Sequence, residues 1–217
     1  MSGQTPPQAA SRPAIRTVVK LPIALPDGEH LHGELISFSG LSDEREHFAL
    51  KLGRPPEAAP LLRLHSECVT GDVLGSRRCD CGAQLQESLR RLHDAGGYLL
   101  YLRQEGRGIG LYKKLDAYLL QEQGFDTFEA NRMLGHADDE RSYAVAAEMI
   151  CALGVQAIRL LSNNPEKARQ LEQAGVRVAA RVPTGVFVSD CNRRYMEAKV
   201  DQSGHTIRLP SNEESVL

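Results

Sequence analysis

The 217-residue chain has no long hydrophobic run, no excess charge of one sign and no internal repeat. No apolar stretch approaches the ~18 residues that cross a bilayer, which excludes a spanning helix. The first residues, MSGQTPPQAASRPAIR, lack an apolar h-region, so no secretory leader is expected and the cytoplasm is the expected compartment. Lys and Arg number 26 against 28 Asp and Glu. A net charge of −2 gives no global attraction to nucleic acid or an anionic membrane, and neither is expected as a partner. Any anion must then be held by a local cluster of Arg and Lys. Also missing are the Cys-x2-Cys knuckle of structural zinc, the G-x-G-x-x-G and P-loop patterns, and the H-x-E…P-C-x-x-C signature of zinc base deaminases.

What is present is an ordinary soluble composition, 41% hydrophobic and 25% charged. Residues 1–14, rich in Pro, Ser, Gln and Ala, read as a disordered tail, and 210–217 as a frayed end. Between them, 15–209 read as one compact domain. TVVKLPIAL and LHGELISF flank the turn residues of PDGEH, and HFALKLG and LLRLH follow as short strands. Beyond Gly75 helices and strands alternate. GAQLQESLRRLHDAGG places Leu85, Leu89 and Leu92 at helical spacing before capping glycines. GIGLYKKLDAYLLQEQG carries Leu111, Leu115, Tyr118 and Leu119 on one face. DERSYAVAAEMICALG reads as a helix opened by acidic residues, PEKARQLEQAG as a helix with Pro in its first turn, and DCNRRYMEAKVDQSG as the closing helix. YLLYL, VQAIRLLS and VRVAARV read as strands between them. The expected fold is α/β: a mixed sheet whose antiparallel N-terminal portion precedes a part with parallel pairing.

Three of five cysteines, Cys68, Cys79 and Cys81, fall within SECVTGDVLGSRRCDCG. In a reducing compartment such a cluster points to metal or chemistry before disulfides. Arg77, Arg78 and Asp80 are poor company for core thiols, and Cys-x-Cys is awkward for a disulfide. Three thiolates without an obvious fourth ligand suit a catalytic zinc that keeps one position open for water. His65 as a fourth ligand would make the site structural instead. Cys151, in an Ala-rich helix, reads as core, and Cys191 carries no signal.

LRQEGRGIGL runs from a strand into a helix through Gly106, Gly108 and Gly110, with Arg103 and Arg107 beside them. Such a turn can present backbone N–H groups to a phosphate, or be a plain turn with solvated arginines. Glu105 there can accept two N–H bonds from a guanine-type edge. LSNNPEKA repeats the theme, with Ser162 and Lys167 as phosphate contacts or Asn-Asn-Pro as a simple capping turn. In GHADDERSYA, Asp138, Asp139, Glu140 and Arg141 form either a solvated first turn or a carboxylate base beside a guanidinium. Tyr118 suits a core position as well as a catalytic one.

Together, RLHSECVTGDVLGSRRCDCGAQL, RQEGRGIGLYKKLDAYLLQEQGFDTFEAN, LGHADDER and LLSNNPEKA resemble the GTP cyclohydrolase II family, in the family's order and across most of residues 17–205. The resemblance implies an enzyme that opens the guanine imidazole of GTP at C8, expels formate and releases pyrophosphate at the head of riboflavin synthesis. It implies zinc, one per subunit, on Cys68, Cys79 and Cys81, Mg²⁺ with the substrate phosphates, and a homodimer. Arg141 matches a position held to attack the α-phosphate or to stabilise it electrostatically, Asp139 its general base, and Tyr118 a residue of ring opening. Arg63, Leu64, His65, Ser66, Glu67, Gln84, Glu105, Gly106, Arg107, Thr127, Ser162 and Lys167 match nucleotide-contacting positions. Ser162 replaces the family's threonine but keeps the hydroxyl. His136 occupies a place that is usually apolar or small. The resemblance leaves two other outcomes: a variant that stops at the formylated pyrimidine, and a binder of GTP without catalysis.

Overall fold

A computed structural model describes residues 12–43, 45–137 and 139–203. The tail at 1–14, apart from its last residues, the tail at 210–217 and Asp138 lie outside the described residues. The strands are β1 (Ala14–Ala24), β2 (His30–Ser39), β3 (Phe48–Leu52), β4 (Leu61–Ser66), β5 (Gly97–Leu102), β6 (Ala157–Leu161) and β7 (Arg177–Val182). The helices are α1 (Cys81–Ala95), α2 (Leu111–Glu122), α3 (Thr127–Met133), α4 (Ala144–Ala152), α5 (Pro165–Gln173) and α6 (Arg193–Ser203).

All seven strands form one mixed sheet in the order β1-β2-β3-β5-β4-β6-β7. β1, β2, β3 and β5 pair antiparallel, whereas β5-β4, β4-β6 and β6-β7 pair parallel. The expected antiparallel start and parallel continuation are both there. Alternation along each strand sends side chains to opposite faces. Leu62, Leu64, Leu100, Leu102, Ile158 and Leu160 join Met149 and Ile150 of α4 and Leu171 of α5. Leu61, Leu99 and Leu161 join Leu89 and Leu92 of α1 on the other face. The helices therefore cover both faces of the central strands, as parallel pairing requires.

The α1 helix ends where its periodicity predicts, at Gly96 with φ 69°. A Cβ there would stand 2.1 Å from the Arg54 carbonyl oxygen, so only glycine fits. Three local expectations need correction. The α4 helix starts at Ala144, not at the acidic run, because Glu140 N–H donates to the Arg107 carbonyl and Arg141 folds back on Asp139. Cys151 is exposed; α4 turns Val145, Ala146, Met149 and Ile150 inward instead. The apolar stripe of α2 does not enter the core either: Leu115 is 43% exposed and Leu119 61%, since α2 packs on α3 and the turn after β5 and buries Ala117 there.

The central pair β4-β5 sets the stability of this arrangement. Leu100 is fully buried between β3 and β4, and Leu100→Ala is expected to cost about 2–5 kcal/mol in urea unfolding. A loss below about 1 kcal/mol would show that the layer can collapse into the space.

Candidate active site

The parallel strands β4, β5 and β6 end on the same side of the sheet, where open α/β sheets bind ligands. Cys68 follows β4 directly and enters a single π-helical turn at Val69–Val73, a feature that recurs at functional sites. Cys79 and Cys81 arrive from the loop into α1. The three Sγ atoms lie within 4.8 Å of one another, and Cys68 and Cys79 are 3.7 Å apart. Tetrahedral zinc with Zn–S of about 2.3 Å places its sulfurs roughly 3.8 Å apart, so the thiols present fit that ion. Gly71 makes the approach possible: a Cβ there would meet Cys79 Sγ at 2.9 Å, Cys81 Cβ at 3.0 Å and Cys68 Sγ at 3.2 Å.

His65 is not part of this group. Its Nε2 is 3.0 Å from both oxygens of the buried Asp72 carboxylate. The same carboxylate accepts from Cys68 N–H at 3.0 Å and Tyr101 O–H at 2.9 Å. Burial draws His65 below the ordinary imidazole range although Asp72 opposes this.

The buried Glu105 is the second organiser. It accepts Val69 N–H at 2.6 Å, Gly106 N–H at 2.8 Å and Lys114 Nζ at 2.9 Å. Both of its oxygens hold protein donors rather than lying open. Lys114 also donates to Cys68 Sγ at 3.1 Å and Thr70 Oγ1 at 2.9 Å. Hydrogen bonds from Cys79 and Cys81, with Lys114 beside them, hold Cys68 as the thiolate, while bonding to that sulfur pushes Cys79 up to about 11 and Cys81 well up. Burial opposes the Lys114 charge, but Cys68 and Glu105 keep it above the ordinary lysine range. Tyr118 O–H lies 3.4 Å from Thr70 Oγ1, under the Arg78 guanidinium at 4.4 Å from its ring centre. Burial raises its pKa, so the phenol stays protonated.

Two chambers meet in this cleft. The first holds the cysteines, Glu67, Glu105, Gly106, Lys114, Tyr118 and Thr127. The second is lined by Arg63, His65, Gln84, Ser162, Lys167 and Lys199, among others. Ser66, Cys81, Arg107, Arg141 and Tyr195 line both. The glycine turn after β5 thus belongs mainly to the cysteine side, with Arg107 reaching across. Gly106 and Arg107 are both left-handed, at φ 61° and 60°, and Arg107 is the only non-glycine with positive φ among the described residues.

The cationic chamber is built into the core. Arg63 donates to Leu161 O at 3.1 Å and Gln84 Oε1 at 2.8 Å, and its buried Nε has no protein partner. Lys167, at the start of α5, donates to the carbonyl of Leu64 at 2.8 Å, so Leu64 serves this site through its backbone while its side chain packs in the core. Asn164 caps α5 by accepting Glu166 N–H at 2.9 Å, with Pro165 at the first helical position, and Ser162 Oγ accepts Asn164 N–H at 3.0 Å. Arg141 forms a forked pair with Asp139, Nε to Oδ1 at 2.8 Å and Oδ2 at 3.1 Å. Burial works against both charges, yet the pairing holds Asp139 below and Arg141, helped by Tyr143, above its ordinary range. His136 meets Glu140 at 3.1 Å on the surface, outside both chambers.

A family model described as GTP cyclohydrolase II matches residues 19–183. The chain belongs to the GTP cyclohydrolase II family. It is 50% identical to GTP cyclohydrolase-2 of Vibrio cholerae over 182 residues, covering 83% of this chain and 92% of that one. It is 43% identical to the Psychromonas ingrahamii GTP cyclohydrolase-2 over 198 residues, covering 90% and 98%. It is 50% identical to the protein of that name from Pseudomonas syringae pv. tomato over 177 residues, covering 81% and 84%. The chain is therefore an enzyme of this type.

The sequence pattern leaves several site residues unmarked: Lys114, Asp72, Asp80, Tyr195 and Lys199. Lys114 sits four residues before Tyr118 on one face of α2, so helical spacing alone could have paired them. Asp72 and Asp80 each join near neighbours, His65 and Cys68 for one and Gln84 for the other, to a distant residue, Tyr101 and Lys199 respectively, and the distant half leaves no local signal.

Two outcomes test this geometry. Gly71→Ala is expected to lose most bound zinc by elemental analysis while circular dichroism keeps its secondary structure; full zinc content would refute the packing argument. Burial, then the charges of Arg63, Arg141 and Lys199, with Asp139 opposing, pull Lys167 well below the ordinary lysine range. An anion bound beside it raises that pKa again, so binding takes up protons and weakens as pH rises. Calorimetry with inorganic tripolyphosphate in two buffers of different ionisation enthalpy reads the uptake directly, and no proton uptake would contradict it.

Proposed function

We propose that this enzyme converts GTP, with water, to 2,5-diamino-6-hydroxy-4-(5-phosphoribosylamino)pyrimidine, formate and pyrophosphate, the first step of riboflavin biosynthesis. The observation that carries this reading is the joining of a three-thiol centre and a chamber of five basic side chains in one cleft. A nucleotide with its base at the sulfurs puts its phosphates among Arg63, Arg107, Arg141, Lys167 and Lys199. Cys68, Cys79 and Cys81 would hold one zinc ion, which when bound supplies a Lewis acid and brings the pKa of water at its open position towards neutrality. Mg²⁺ accompanies the substrate phosphates.

The chain's own residues then divide the work. Glu105 fixes the turn that carries Cys68, and Lys114, held by Glu105, offsets the charge of its sulfur. The protonated Tyr118 donates to the ring nitrogen as C8 becomes tetrahedral. One water adds at C8 and opens the ring to a formamide. A second hydrolyses that formamide, so that C8 departs as formate. A further water takes up the cleaved α–β phosphate linkage as pyrophosphate leaves. At the junction Arg141 faces the α-phosphate. Because Asp139 keeps its guanidinium charged against the cost of burial, electrostatic stabilisation of the phosphoryl group suits it better than nucleophilic attack, for which it has no free lone pair. Ser162, Gln84 and Thr127 line the walls around the bound nucleotide.

The enzyme works as a homodimer in the cytoplasm under this reading. Support for association comes from apolar residues left open on β1, where Ile15, Val18 and Val19 are 43–47% exposed, and on α2 at Leu115 and Leu119. Three thiols that must stay reduced suit a reducing compartment. Among the described residues no helix is long and apolar enough to cross a membrane.

Incubation of the purified protein with GTP and Mg²⁺, followed by identification of every product, tests the reaction. Formate, pyrophosphate and the diaminopyrimidine are expected together. A retained formyl group would show the truncated reaction, and unchanged GTP would show a binder. Cys79→Ser should lose zinc and formate release in parallel. Arg141→Ala should lower pyrophosphate release by about a hundredfold or more, the scale of one lost oxyanion-type contact, and should lose GTP affinity by much less.

A further inference from the structure

The α6 helix brings Tyr195 and Lys199 to the site one turn apart, so they share a face, and that face closes the cationic chamber. Tyr195 stands at the junction and lines the cysteine side as well. Lys199 is 9% exposed; its Nζ donates to Asp80 Oδ1 at 2.5 Å and lies 4.6 Å from the Tyr195 ring centre. Asp80 sits between Cys79 and Cys81, and its other oxygen accepts from Gln84 at 2.7 Å. Gln84 in turn accepts from Arg63 at 2.8 Å. One line of contacts thus runs from α6 past the metal loop to β4.

A lysine so placed is either a clip that holds the metal loop or a ligand for the substrate. A clip needs only its carboxylate. Lys199 instead shares a chamber with Arg63, Arg107, Arg141 and Lys167, and no Asp or Glu is among the described residues that line it. Gathering five basic side chains in a partly buried space costs free energy through repulsion and lost hydration, and each of them carries donors that one polyanion can share. Lys199 is the one that reaches the chamber from α6. We propose that Lys199 is a phosphate-binding residue of the nucleotide site, donating to the phosphates beyond the junction at which Tyr195 stands. The proposal rests on the reading above that the ligand is a nucleoside triphosphate. It makes Asp80 a holder that keeps the ammonium in place until the phosphates arrive.

The test titrates the full chain with inorganic tripolyphosphate and, separately, with guanosine, in wild type, Lys199→Met, Lys199→Arg and Asp80→Asn, after zinc content is measured in each. Lys199→Met is expected to weaken tripolyphosphate about ten- to a hundredfold, the worth of one charge-assisted hydrogen bond, with guanosine affinity unchanged. Lys199→Arg should recover most of it. Asp80→Asn, which removes the counter-charge and leaves the ammonium, should bind tripolyphosphate at least as tightly as wild type. Unchanged tripolyphosphate affinity in Lys199→Met, or parallel losses in Lys199→Met and Asp80→Asn, would overturn the proposal and leave Lys199 a clip. Should Lys199→Met not fold, Asp80→Asn decides alone: tight binding supports a phosphate ligand and weakened binding refutes it. Failure of the wild type to turn over GTP would count against the proposed reaction only, because tripolyphosphate binding is read without turnover.

Discussion

The Asp72 carboxylate ties the turn that carries Cys68 to the ends of the two central strands, and the rest of the cleft depends on that tie. It accepts from His65 at the end of β4, from Tyr101 at the end of β5 and from the backbone of Cys68. A buried carboxylate with three donors is stable only while all of them remain, since each lost donor leaves a charge without compensation. The turn is therefore held to the sheet rather than to solvent. Glu105 repeats the device from the far side, with Val69 N–H and Lys114. Between these two carboxylates the three sulfurs converge over Gly71, where an added Cβ would crowd all three cysteines.

The same architecture separates charge. One end of the cleft gathers thiolate and carboxylate around a single ammonium, and the other gathers guanidinium and ammonium groups over buried strand ends. Arg107 and Arg141 stand at the seam, and the Glu140 N–H bond to the Arg107 carbonyl keeps their two segments together. A ligand with a neutral, nitrogen-rich ring at one end and several phosphates at the other matches that polarity along its whole length. Burial, and then the neighbouring charges of Arg63, Arg141 and Lys199, hold Lys167 below the ordinary lysine range at that end.

Much of this was legible in the sequence where chemistry is local. Alternating strands, the leucine spacing of α1, the Asn-Pro cap of α5 and the cysteine spacing all carry their signal in adjacent residues. Periodicity misled where an apolar stripe faces something other than this chain's core, as with Leu115 and Leu119 of α2. Composition misled at Cys151, since an alanine-rich helix can bury its small residues on several sides and still leave one position outward. The acidic run before α4 looked like a helix start because Asp and Glu favour that position, yet tertiary pairing with Arg141 and Arg107 draws it away. Asp72, Asp80 and Lys199 were silent for another reason. Their meaning lies in partners as far off as 119 residues along the chain, for Asp80 and Lys199.

The central claim is that three sulfurs form a metal centre with one position left for water, His65 being engaged by Asp72. X-ray absorption at the zinc edge of the purified enzyme tests it most directly. The account predicts three sulfur neighbours at about 2.3 Å and one oxygen neighbour at about 2.0–2.2 Å. A fourth sulfur, or the scattering pattern of a coordinated imidazole, would contradict it.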